Sequence, residues 1–234
     1  MLNAVISGKK RGTGLEGARL LLGQAEGAED VITASVFERL AYLPDALFSA
    51  TLSTLLGEAF GAIEEIDFWP SWYLPGGRRV EPDVVISDGQ QSLLVEAKRH
   101  DYSRRQYAGQ LASELQAGWA GGKLAENCIL LTLGGLADLS HSTREDLHQD
   151  IITALPPGND YRFKLVCCSW QQLFCLLEDE LKKQSEPGLQ RMLSDLSDCY
   201  SWHGLRTHRM LWLNALKPAH LTTTPNAFDQ WKLK

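Results

Sequence analysis

With 234 residues, 44% of them hydrophobic and 22% charged, the chain has the make-up of a protein that buries a full core. Asp and Glu number 29 against 23 Lys and Arg, a formal net charge of −6, which argues against a protein that coats nucleic acid by charge alone. No apolar run approaches the roughly 20 residues of a membrane span, and Lys9, Lys10 and Arg11 lead into no apolar stretch of the secretory kind, so no membrane contact and a cytoplasmic location are expected.

In chain order, Ile32, Val36, Leu40 and Leu43 form one stripe and predict a helix from about Glu29–Asp30 to Leu43. Pro44-Asp45 breaks it, and Leu47, Phe48, Leu52, Leu55 and Leu56 predict a second helix. Three extended segments follow, Ile63 to Tyr73, Val80 to Ser87 and Ser92 to Lys98, separated by the turn signals Pro75-Gly76-Gly77 and Asp88-Gly89. Helical period returns from Arg104 to Trp119, with Tyr107, Leu111, Leu115 and Trp119 on its apolar face. Cys128 to Leu133 and Phe163 to Cys168 read as buried strands around a helix from Thr143 to Leu155. Ser169 is placed to cap a helix carrying Trp170, Leu173, Phe174, Leu177 and Leu181, and a last helix follows Pro187. The tail from Lys217 is irregular. The order predicts an α/β fold: a mixed sheet flanked by helices, with extra N- and C-terminal helices.

The five cysteines lack CxxC spacing and suit a reduced chain. The six histidines are scattered, and Trp69 and Trp72, flanking Pro70 in an apolar strand, read as packing residues rather than base-stacking ones. Ser7-Gly8-Lys9-Lys10 lacks the upstream glycine of a phosphate-cradling loop, so the chain is not expected to be an ATPase itself.

The chemistry concentrates in residues 81–98. In Leu93-Leu94-Val95-Glu96-Ala97-Lys98, strand alternation sends Glu96 and Lys98 to one side and Val95 and Ala97 to the other. Charge enters this strand only at its C-terminal end. Asp83 lies on the preceding strand, and the Asp88-Gly89 turn folds the two into a hairpin that can bring Asp83 beside Glu96. Two neighbouring carboxylates repel, and a divalent cation such as Mg²⁺ or Mn²⁺ relieves this while bridging to a phosphate. Lys98 would then reach an attacking water or a phosphate oxygen. Arg78, Arg79, Arg99, Arg104 and Arg105 surround this segment as candidate phosphate contacts.

Pro82-Asp83, twelve intervening residues and Glu96-Ala97-Lys98 resemble the PD-(D/E)XK nuclease superfamily. The resemblance implies a restriction-endonuclease-like core over about residues 30–133, followed by an α/β extension over about 134–216 and the tail 217–234, all in one domain. It also implies metal ligation by Asp83 and Glu96, with Lys98 as the catalytic lysine. Members often project a glutamine from the next helix into the site; Gln106, Gln110 and Glu114 share one face there, and Gln110 is the first choice. An acid from the first helix often completes the metal site, and Glu38 is the candidate. The glutamine-plus-four tyrosine of recombination-type exonucleases is absent, since Gln106 is followed by Gln110 and Gln110 by Glu114. The iron–sulfur cysteines of some relatives are also missing.

The expectation is therefore a metal-dependent endonuclease acting on DNA in bacterial or phage-related defence or repair. The acidic charge suggests that substrate delivery uses a homodimer or a partner ATPase, an idea resting on family analogy. The alternative is a catalytically silent nuclease-fold subunit that binds nucleic acid or serves as a scaffold. RNA as substrate is left open by the sequence.

Overall fold

The computed structural model describes residues 28–101, 106–157 and 162–209. Two helices come first, α1 (Ala28–Leu40) and α2 (Asp45–Leu56). α1 ends three residues earlier than its apolar stripe suggests, because Tyr42 and Leu43 already make i→i−3 turn bonds ahead of Pro44.

A five-stranded mixed sheet follows. Its strands are β1 (Glu65–Phe68), β4 (Val84–Ser87), β5 (Gln91–Ala97), β6 (Asn127–Leu133) and β7 (Phe163–Cys168), hydrogen-bonded in that order. β1–β4 and β4–β5 are antiparallel, whereas β5–β6 and β6–β7 are parallel. The Asp88-Gly89 turn closes the β4–β5 hairpin as expected, with Gly89 at φ 82°.

The extended segment from Ile63 to Tyr73 is not one strand. It breaks at Trp69, held at φ 49°, and Pro70. A left-handed residue followed by a proline cannot continue a ladder. The chain therefore leaves β1 and builds a separate two-stranded ribbon from β2 (Trp72–Tyr73) and β3 (Arg79–Val80), closed by Pro75-Gly76-Gly77.

Helices cover both faces. α3 (Ala108–Ala120) and α4 (His141–Ala154) lie on one; α1, α2, α5 (Trp170–Leu181) and α6 (Pro187–Trp202) lie on the other. The pleat sorts β5 between them: Leu93, Val95 and Ala97 pack with α1, α2, α5 and α6, while Leu94 packs with Leu111 and Leu115 of α3. With both faces covered, β5 and β6 are buried nearly throughout. Residues 163–202 extend the same sheet and the same core rather than forming an appendage. Ser169 caps α5 reciprocally with Gln172, as the sequence suggests.

α3 starts later than expected. Tyr107 is its N-cap and 62% exposed instead of lying on the apolar face, and Gln106 precedes the helix. Arg104 and Arg105 lie outside the described residues, as do the chain start and the tail from Lys217. Among the described residues no helix is long and apolar enough to cross a membrane.

Candidate functional site

The site forms where β4 begins and β5 ends. Val84 pairs with Val95, so the antiparallel register carried one step further sets Asp83 opposite Glu96. Asp83 has the parity of Val85, and Glu96 that of Leu94, so both carboxylates belong to the face covered by α3. Both are buried, at 8% and 2% exposure. Each is a polar group placed where the alternating pattern would otherwise put a core residue, which is costly unless paired.

Asp83 is held by two donors. The indole N–H of Trp69 donates to Oδ1 at 3.0 Å, and the backbone N–H of Ala97 donates to Oδ2 at 2.8 Å. The Trp69 backbone N–H also donates to the Asp83 carbonyl at 3.0 Å. Burial and the neighbouring Glu96 nevertheless push the Asp83 carboxyl well above the usual range.

Glu96 Oε1 accepts from Lys98 Nζ at 2.5 Å and from Gln110 Nε2 at 2.7 Å. The same Gln110 amide donates to Glu114 Oε1 at 2.9 Å, tying the strand to α3. Burial, then Glu114, raises Glu96 to about 8 despite the Lys98 ammonium. Burial likewise raises Glu114 to about 7, with Asp83 adding and Gln110 opposing. Burial disfavours the Lys98 charge, but Glu96, Glu29 and Asp83 outweigh it and raise its pKa.

Lys98 does not project into open solvent. Its side chain is 13% exposed and lies 3.6 Å from Glu29 Oε1 as well as against Glu96. Glu29 Oε2 accepts the backbone N–H of Arg99 at 2.8 Å. Gly134 and Gly135, at φ 68° and 71°, line the other side of the strand end. A Cβ on Gly134 would come within 2.3 Å of the Lys98 carbonyl oxygen, and one on Gly135 within 2.8 Å of Lys98 Cβ.

The predicted residues thus divide. Asp83, Glu96, Lys98 and Gln110 converge. Glu38 does not join them. Nine residues beyond Glu29 on α1, it sits about 13 Å along the axis and half a turn around, on the opposite side of the helix. The acid that α1 supplies is Glu29. Gln106 is buried, but its amide serves backbone, donating to the carbonyls of Glu96 at 3.3 Å and Gly134 at 3.2 Å. Arg78 donates to Ser113 Oγ on α3 at 2.7 Å, and Arg79 reaches Ser71 Oγ at 3.1 Å and pairs with Glu81. Arg99 is half-buried beside Glu29, and Arg105 lies outside the described residues.

Two participants escaped sequence reasoning. Glu29, in the first turn of α1, reads as an ordinary helix-start acid. Glu114 shares a face with Gln110, yet it is 1% exposed between the buried Leu111 and Leu115, and that burial is the signal. Trp69 is a third departure: it packs, as expected, but also donates to Asp83.

Among the described residues no group of three or more His, Cys, Asp or Glu side chains is arranged to hold a metal ion. Glu96 Oε2 and Glu114 Oε2 are buried without a hydrogen-bond partner. Mg²⁺ is commonly held by one or two carboxylates while keeping several waters.

No family model and no solved structure matches the chain. Over 221 residues it is 39% identical to the uncharacterized protein PM0110 of Pasteurella multocida, an alignment covering 93% of this chain and 85% of that protein. An identity of this level over nearly the whole length of both proteins places the chain in the same protein family as PM0110.

Proposed function

We propose that the chain is a Mg²⁺- or Mn²⁺-dependent nuclease that hydrolyses phosphodiester bonds in DNA, on a restriction-endonuclease-like fold. The observation that carries this reading is the convergence of Asp83, Glu96 and Lys98 at one hairpin end, with Gln110 holding Glu96 from α3. Three buried acids with raised pKa values around one lysine form the kind of perturbed cluster that marks functional sites.

In this reading Asp83 and Glu96 would hold the cation, which would supply Lewis-acid activation of phosphate and water. Trp69 and Ala97 orient Asp83, and Gln110 orients Glu96. Lys98, which donates to Glu96 here, would supply an ammonium to the nonbridging oxygens, where charge builds in the transition state. Arg78 and Arg79, at the β2–β3 ribbon, are read as contacts for neighbouring phosphates. The net charge of −6 suits delivery of the substrate by a second copy or a partner, and an ATPase as that partner rests on family analogy.

Plasmid and linear DNA are incubated with Mg²⁺ or Mn²⁺ and either wild type or Lys98→Ala, with DNA binding measured in Ca²⁺. Wild type is expected to cut and Lys98→Ala to bind without cutting, because the lysine acts in the transition state. Equal cutting by both removes the mechanism. Binding without cutting by either favours a nuclease-fold scaffold, and cutting of RNA alone changes the substrate.

A further inference from the structure

Glu114 poses a problem that the Pro-Asp and Glu-Ala-Lys pattern does not address. It stands in the middle of α3, between Leu111 and Leu115, which are both fully buried, and it is itself 1% exposed. A carboxylate in the apolar stripe of a core helix is costly unless something compensates it. Its visible compensation is half complete. Gln110 Nε2 spends its two hydrogens on Glu96 Oε1 and Glu114 Oε1, at 2.7 and 2.9 Å. This leaves the second oxygen of each acid, Glu96 Oε2 and Glu114 Oε2, buried with no donor.

The charge count has the same sense. Among the described residues, Lys98 is the cation that interacts with Asp83, Glu96, Glu114 and Glu29 together. A structural acid would be expected to acquire an arginine or donors on both oxygens, and Glu114 has neither. Glu114 has an amide that it shares with another acid. An amide gripping one oxygen of each carboxylate fixes both groups in orientation while leaving the other oxygens free to accept. Oxygen donors of this kind suit a hard divalent cation and not a soft thiophilic one.

We propose that Glu114 is a cation ligand: with Glu96 it contributes a carboxylate oxygen from α3 to a Mg²⁺ or Mn²⁺ site, with Gln110 as the positioning residue that sets both acids. The proposal rests on the nuclease reading for its cation and pairs Glu114 with Glu96 as a two-carboxylate site, with water supplying the remaining donors. The cation thereby clamps α3 to the sheet, so its binding affects stability as well as chemistry.

The test is Mn²⁺ titration by calorimetry into the full-length wild type, Glu114→Gln and Asp83→Asn, with melting curves in EDTA and in Mn²⁺. Glu114→Gln is near-isosteric, so its melting temperature in EDTA is expected to equal or exceed that of wild type. Its Mn²⁺ affinity should fall by roughly tenfold or more, and the Mn²⁺-induced rise in melting temperature should shrink. Glu114→Asp, which keeps the charge one methylene shorter, should bind with intermediate affinity and serves if the glutamine variant fails to fold. Equal Mn²⁺ affinity in wild type and Glu114→Gln overturns the proposal, as does absence of Mn²⁺ binding to wild type. If Glu114→Gln weakens Mn²⁺ but wild type cuts no nucleic acid, the cation site stands and the nuclease reading falls. If cleavage is metal-dependent and Glu114→Gln binds Mn²⁺ normally, the nuclease reading stands and Glu114 is removed from the ligand set.

Discussion

The indole N–H of Trp69 donates to Oδ1 of Asp83 at 3.0 Å, from a backbone held at φ 49°. A bulky residue in the left-handed region costs about 1–3 kcal/mol and persists where its surroundings fix it. Here the same residue ends β1, launches the β2–β3 ribbon and holds a buried carboxylate. Trp69→Phe keeps the backbone conformation and most of the ring but removes the donor. Loss of a hydrogen bond to a buried acid should cost about 2 kcal/mol. Urea denaturation of the two proteins measures it, and a midpoint shift near zero would show that Asp83 does not depend on the indole.

The raised acids set a pH dependence. Glu96 at about 8 and Glu114 at about 7 bind protons in the folded chain that the unfolded chain has released. The folded state therefore holds more protons between about pH 5 and 8, and stability must fall as pH rises through that window. Melting temperatures in EDTA from pH 5 to 9 test this. Glu114→Gln should flatten the decline, and stability that rises with pH across the window would contradict both shifts.

Gly134 and Gly135 are expected to separate stability from site geometry. A Cβ on Gly134 meets the Lys98 carbonyl at 2.3 Å, the oxygen that accepts Trp170 Nε1 at 2.7 Å. Gly134→Ala should thus cost more than about 2 kcal/mol, from strain at positive φ together with a backbone clash. Gly135→Ala pushes on the Lys98 side chain instead. Its melting point should fall less, while any cleavage that depends on Lys98 falls more.

Glu29 and Glu38 provide an internal comparison on one helix. Glu29→Gln loses the charge 3.6 Å from Lys98 Nζ and should change metal-dependent cleavage by roughly tenfold. Glu38→Gln, on the opposite side of α1, should leave cleavage unchanged. Side-by-side cleavage rates decide between them, and the reverse ranking would return the role to Glu38.

Local signals in the sequence determined much of this molecule. The apolar stretches of β5 and β6 are legible because strands covered on both faces are mostly apolar. The Ser169 cap and the Asp88-Gly89 turn are short-range features that depend on few neighbours. Asp83, Glu96 and Lys98 were also legible, since hairpin register and strand parity alone set them together. Tertiary structure decided the rest. Whether an acid on an amphipathic helix meets water or the interior depends on what packs over it, so Glu114 and Gln110 could be told apart from a solvated face only once α3 lay on the sheet. The choice of Glu29 over Glu38 depends on which side of α1 faces the end of β5, a matter of helix docking that periodicity does not fix. Trp69 looked like one more apolar strand residue. Its role arises because a left-handed turn aims its indole at a carboxylate fourteen positions along the chain.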